Sequence, residues 1–211
     1  KTISAEHADV RFASSLAAED MVVTDAIVQA RATISLFTLA TGRLHQETIV
    51  MTEQVEKHYK ISIERVHPDP KDVESFINQY GLNGFYDSEE AKKACCAARK
   101  IKPLNEALAG AKAWLTGQRR EQAVTRSDLP LRELDDARQI AKYNPLFDWS
   151  ESDVWAYIEH YKVPVHPLHL QGYPSIGCEP CTRAVKAGED IRAGRWWWLQ
   201  QDSKECGLHV K

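Results

Sequence analysis

Residues 33–66 read TISLFTL, ATGRLH, QETIVMTEQVEKHY, K, ISIERV, and this stretch decides the fold. Positions 33–39 are an apolar run of β-branched and aromatic residues, the signature of a buried strand. Thr41-Gly42 ends the run as a turn. Residues 46–59 fit a helix, and 61–66 alternate as a second strand. A strand, a helix and a strand in that order place the two strands parallel.

Upstream, 10–13 (VRFA) reads as a short strand, followed by the small-residue turn Ser14-Ser15-Leu16-Ala17-Ala18 and a helical pattern over 19–30. Downstream, Asp69-Pro70 gives an N-cap with proline at the first helical position, opening a helix that Gly81 closes. Residues 88–100 look helical, with Ser88 as cap and Pro103 as a break. Residues 113–115 form a short strand leading into Thr116-Gly117, and Ser150-Glu151-Ser152-Asp153 resembles a capping box for a helix reaching about Tyr161. Pro164, Pro167, Gly172, Pro174 and Gly177 mark loop beyond it. The expectation is an α/β fold with a mostly parallel sheet and helices on both faces. Such sheets bind ligands at the C-terminal strand ends where strand order reverses, so the turns at 14–18, 40–43 and 116–120 are expected to line one crevice.

The 211 residues are 43% hydrophobic and 27% charged, which fits one domain, divided here into 1–195 and a flexible C-terminal tail over 196–211. No apolar run approaches the ~20 residues needed to cross a bilayer, and the first residues lack a secretory apolar stretch, so a cytoplasmic chain without membrane association is expected. A net charge of −3 argues against nucleic-acid binding. Basic residues nonetheless gather at Arg99-Lys100, at Arg119-Arg120 with Arg126, and at Arg192 with Arg195, a pattern suited to a small anionic ligand.

Five cysteines need explaining: Cys95, Cys96, Cys178, Cys181 and Cys206. An odd count without a secretory signal favours a metal site plus a free thiol over disulfides. Cys178-Glu179-Pro180-Cys181 in a Pro/Gly-rich loop and Cys95-Cys96 on a helix supply four thiolates, suited to zinc or to an iron–sulfur cluster. Neighbouring helical residues point about 100° apart, so the adjacent pair would reach one zinc ion only through a distorted backbone. A cubane could take one sulfur at each of two corners.

Cys95-Cys96-Ala-Ala-Arg99-Lys100, Cys178-x-x-Cys181 and Glu205-Cys206-Gly207-Leu208-His209 together resemble the assimilatory adenylyl-sulfate (APS) reductases of bacteria. FTLATGRLH over 37–45, LTGQRR over 115–120, Thr125-Arg126-Ser127 and Tyr143-Asn144-Pro145-Leu146 extend the likeness over nearly the whole chain. The resemblance implies an adenine-nucleotide alpha-hydrolase fold, akin to ATP pyrophosphatases, and a [4Fe–4S] cluster on Cys95, Cys96, Cys178 and Cys181. It further implies reduction of APS to sulfite, with thioredoxin or a glutaredoxin-like dithiol as reductant, and homo-oligomers. One departure stands out. The family's nucleotide loop usually carries glycine after serine, whereas this loop reads SSLAAED over 14–20.

Within that family Cys206 is the expected nucleophile, attacking the sulfate sulfur and expelling AMP. Lys100, Arg192 and Arg195, with Arg126, are the expected cations for the phosphosulfate oxygens. His209 would assist thiolate formation or touch the anion. Leu39 and Gly117 suit backbone recognition of the base, and Ser14 and Ser15 suit donation to phosphate or ribose oxygens. Trp196 to Trp198 are read as packing the tail-bearing segment onto the domain. Rival readings are a reductase for 3′-phosphorylated APS, a zinc-binding module without catalysis, and a nucleotide-activating ligase or pyrophosphatase of the same fold.

Overall fold

A computed structural model describes residues 1–199. Strands β1 (Val10–Ala13), β2 (Ser35–Leu39), β3 (Ile63–Val66), β4 (Ala113–Leu115), β5 (Arg132–Asp135) and β6 (Ile140–Tyr143) form one sheet in the order β3-β2-β1-β4-β6-β5. Neighbours are parallel except β5 and β6, an antiparallel hairpin at one edge. The helices are α1 (Thr2–Glu6), α2 (Ala18–Ala30), α3 (Gln46–Tyr59), α4 (Pro70–Tyr80), α5 (Glu89–Cys96), α6 (Lys102–Ala107) and α7 (Glu151–Tyr161).

Alternation along the strands explains the layers. Val10, Phe12, Leu36, Ala113 and Leu115 face one side and pack on Met21 and Val22 of α2, Met51 and Val55 of α3, and Val154 and Ile158 of α7. Phe37, Leu39 and Trp114 face the other side, against Leu104 of α6 and Leu108 just beyond it. Helices therefore cover both faces, as expected. Each fully buried Leu or Phe contributes roughly 1.5–3 kcal/mol, and Phe12 and Leu16 are wholly buried.

Local chemistry sets the element ends. Asp69 accepts the Lys71 N–H at 2.8 Å with Pro70 behind it, and the Gly81 N–H closes α4 on Ile77. Ser150 and Asp153 make the anticipated capping box on α7. Pro103, by contrast, does not break its helix. A π turn, Ala97–Ile101, follows α5 directly and runs into α6, so the proline falls in the first turn of α6.

Candidate active site

The strand order reverses between β1 and β4, since β2 and β3 lie on one side of β1 and β4 and β6 on the other. A cavity of about 630 Å³ opens at the C-terminal ends of these strands. The loops at 14–18, 39–44 and 116–119 all contribute to it, as the strand-end argument requires.

The loop after β1 is bonded chiefly to itself. Ser14 N–H donates to the Phe37 carbonyl at 2.8 Å. The Ser15 N–H and hydroxyl both donate to Asp20 Oδ2, at 2.6 and 2.5 Å, and the Leu16 N–H reaches Ser14 Oγ at 3.2 Å. Leu16, where glycine would be expected, takes φ 63°, a left-handed conformation costing roughly 1–2 kcal/mol for a residue with a β-carbon. Its side chain is fully buried, which offsets that cost. Ala18 N–H donates to His169 Nε2 at 3.1 Å. Burial pushes the Asp20 carboxyl up to about 6, against the pull of its Ser15 bonds.

Gly117 lines the cavity, but its close approach is to α2. A β-carbon there would run into the Asp20 carboxylate and sit 3.1 Å from Glu19 Cβ and 3.2 Å from Asp20 N. Glycine lets the loops after β1 and β4 touch across the switch point.

Cations divide into two sets. Arg119 is buried and paired with Glu19 at 2.8 Å and Glu121 at 3.0 Å, and buried Arg99 donates to the Thr41 carbonyl at 2.9 Å. Both brace loops. Lys100, Arg126, Arg192 and Arg195 line the cavity, as Arg119 also does, with Ser14, Ser15 and Leu39. Lys100 lies in the π turn. Arg126 donates to Gln122 Oε1 at 2.5 Å. Arg195 donates to Ser175 Oγ at 2.9 Å, and its guanidinium lies where a β-carbon on Gly177 would clash.

Of the four internal cysteines, Cys178 lines the cavity, and Cys95 and Cys181 feel the Lys100 charge. Cys95 and Cys96 close α5, immediately before the π turn, and Cys178 and Cys181 flank the 3-10 turn Glu179–Cys181. Cys95, Cys178 and Cys181 share one apolar cluster with Phe76, Phe85, Ala98 and Trp196. Trp196 is fully buried and its backbone N–H donates to the Cys181 carbonyl at 3.1 Å, whereas Trp197 is half exposed. Thr41 Oγ1 lies 3.3 Å from Cys178 Sγ. Burial, then the neighbouring Cys178, pushes the Cys181 thiol up to about 12, with Lys100 opposing. Burial also raises Cys95, with Arg99 opposing. Among the described residues, no three His, Cys, Asp or Glu side chains surround a single point as one metal ion would need. Cys206 and His209 lie outside the described residues.

The phosphoadenosine phosphosulfate reductase domain matches residues 9–184, which takes in every strand and most of the cavity. The chain belongs to the phosphoadenosine phosphosulfate reductase family. It is 58% identical over 208 residues to the adenosine 5′-phosphosulfate reductase of Burkholderia cepacia, covering 99% of this chain and 83% of that one. The enzyme of that name from Allochromatium vinosum is 58% identical over 198 residues, covering 94% and 77%. The crystal structure of phosphoadenylyl-sulfate reductase from Candida auris matches with a TM-score of 0.70 at 25% identity, over 84% of this chain and 83% of that chain. Candida glabrata FMN adenylyltransferase, at 14% identity and a TM-score of 0.58 over 96% and 70%, shares the fold alone. As a member of the reductase family, the chain is an enzyme.

Sequence reasoning left several cavity residues of this reductase unassigned. Asp20, Gln118, Arg119 and His169 all line it. Gln118 Oε1 is buried without a hydrogen-bond partner. Gln118 and Arg119 sat inside a quoted motif, and Asp20 followed the serine loop. His169 gave no such signal, because it reaches the site from 151 positions away.

Proposed function

We propose that the chain reduces APS to sulfite and AMP, using a dithiol reductant of the thioredoxin class, in cytoplasmic sulfate assimilation. The observation that carries this is the gathering of Lys100, Arg126, Arg192 and Arg195 on one cavity with the serine loop and Cys178. Adenosine would lie against the ends of β1, β2 and β4, near Leu39 and Gly117. The phosphosulfate would lie among the cations, which offset the repulsion a thiolate meets at a sulfur bearing anionic oxygens.

In this reading the Cys206 thiolate attacks that sulfur, the S–O bond to the phosphate breaks, and AMP leaves with the electron pair. A thiosulfonate remains on Cys206. One thiolate of the partner attacks Cys206 Sγ and displaces sulfite; its second thiolate then frees Cys206 and leaves the partner as a disulfide. Two electrons pass from dithiol to sulfur. His209 is assigned to assist thiolate formation or to contact the anion.

Cys95, Cys96, Cys178 and Cys181 would hold a [4Fe–4S] cluster. The donor chemistry fits: four thiols, of which Cys95, Cys178 and Cys181 share one apolar cluster, with burial raising the Cys95 and Cys181 thiols, a penalty that a metal centre would relieve. Such a cluster would organise the Lys100 segment, whose ammonium would offset part of the net negative charge of a cubane held by four thiolates. Lys100 would then serve both sides, since it acts electrostatically on Cys95 and Cys181 while lining the cavity.

A turnover comparison with reduced thioredoxin tests the substrate. APS is expected to be reduced at least about a hundredfold more efficiently than its 3′-phosphorylated form. The reverse preference would assign the chain to the phosphorylated nucleotide instead.

A further inference from the structure

His169 belongs to no role assigned so far, yet it joins three elements at the cavity wall. It sits in the 3-10 turn Pro167–Gln171. Its Nε2 accepts the Ala18 N–H at 3.1 Å, and its Nδ1 lies 2.8 Å from the Tyr173 carbonyl oxygen. An amide N–H only donates and a carbonyl only accepts. Both contacts therefore require one tautomer, with the proton on Nδ1 and Nε2 bare. Trp155 of α7 meets the ring edge-on, with centroids 5.5 Å apart. The imidazole is thus oriented from two sides before it reaches the loop.

Ala18 is the first residue of α2, two positions after strained Leu16. Ser14, Ser15 and Asp20 tie the 14–18 loop to itself, whereas His169 ties it to the opposite wall. We infer that His169 is a positioning residue for the nucleotide: it holds the Ala18 N–H and so fixes the serine loop in the shape that receives the ligand. The inference rests on the nucleotide reading given above.

Two measurements on the full chain test it, AMP affinity by calorimetry and exchange of the Ala18 amide by NMR. Both are made on wild type, His169→Phe and His169→Gln. Phenylalanine keeps a ring without an acceptor; glutamine carries an acceptor oxygen at about the reach of Nε2. The Phe variant is expected to exchange Ala18 about tenfold faster and to bind AMP about tenfold more weakly, with the Gln variant recovering most of both. Unchanged exchange and affinity in the Phe variant would overturn the inference, as would equal losses in both variants, which indicate general damage to the fold. A wild type that binds no AMP would sink the nucleotide reading instead, and Ala18 exchange would still decide whether His169 holds the loop.

Discussion

Asp20 shows how one buried carboxyl can shape both the site and the stability of the chain. Its oxygens accept from Ser15, and it packs directly against Gly117. Because burial raises it from 3.8 to about 6, the folded chain keeps between those values a proton that the unfolded chain releases. Its contribution to stability is complete below pH 4 and is lost as pH climbs through 6. His166 runs the other way. Burial lowers it from 6.5 to about 4, so its contribution is present above pH 6.5 and lost as pH falls. The two slopes oppose each other. Asp20→Asn removes only one, whatever constant cost the lost carboxylate carries. Relative to wild type, the variant should gain about 2 kcal/mol between pH 4 and pH 6, read from urea unfolding at each pH. A difference that stays flat over that range would show that Asp20 ionises in the folded chain as it does in the unfolded one.

At the scale of elements, the contact between the loop after β4 and the start of α2 holds the crevice in shape. Gly117→Ala places a β-carbon against Asp20 and Glu19, and backbone at Asp20 limits the escape. The substitution should cost about 2 kcal/mol or more in thermal unfolding and weaken AMP binding at least about tenfold. A variant with both properties intact would mean that the loops are not in contact. The sheet itself was legible in the sequence because β1, β2 and β4 are apolar runs bounded by turn residues. The β5–β6 hairpin was not. Arg132, Glu133, Asp135 and Lys142 give it a charged, outer-edge composition that imitates loop, and its pairing is antiparallel in an otherwise parallel sheet. Pro103 misled for a similar reason: a π turn shifts the helical register ahead of it, and local sequence carries no direct signature of that shift. Gly117 was read as suiting backbone recognition of the base; sequence could not say that the chain's own Asp20 carboxylate packs against it.

For the whole molecule, the proposed function gives four of the five sulfurs to a cluster and leaves one to react. Anaerobically purified protein should carry about four irons and four sulfides per chain, and Cys181→Ser should lose most of both. Stoichiometric zinc without sulfide would refute the cluster. The site was legible as a set of residue types, since the cations and serines assigned from sequence line one cavity with Cys178. Its internal wiring was not, because Arg119–Glu19 and His169–Ala18 join positions 100 and 151 residues apart. The central claim remains the thiosulfonate on Cys206, and mass spectrometry of APS-treated protein tests it most directly. One added sulfonate is expected on Cys206, discharged as sulfite by reduced thioredoxin and absent from Cys206→Ser. A sulfonate on another residue, or full turnover by the Ser variant, would contradict the account.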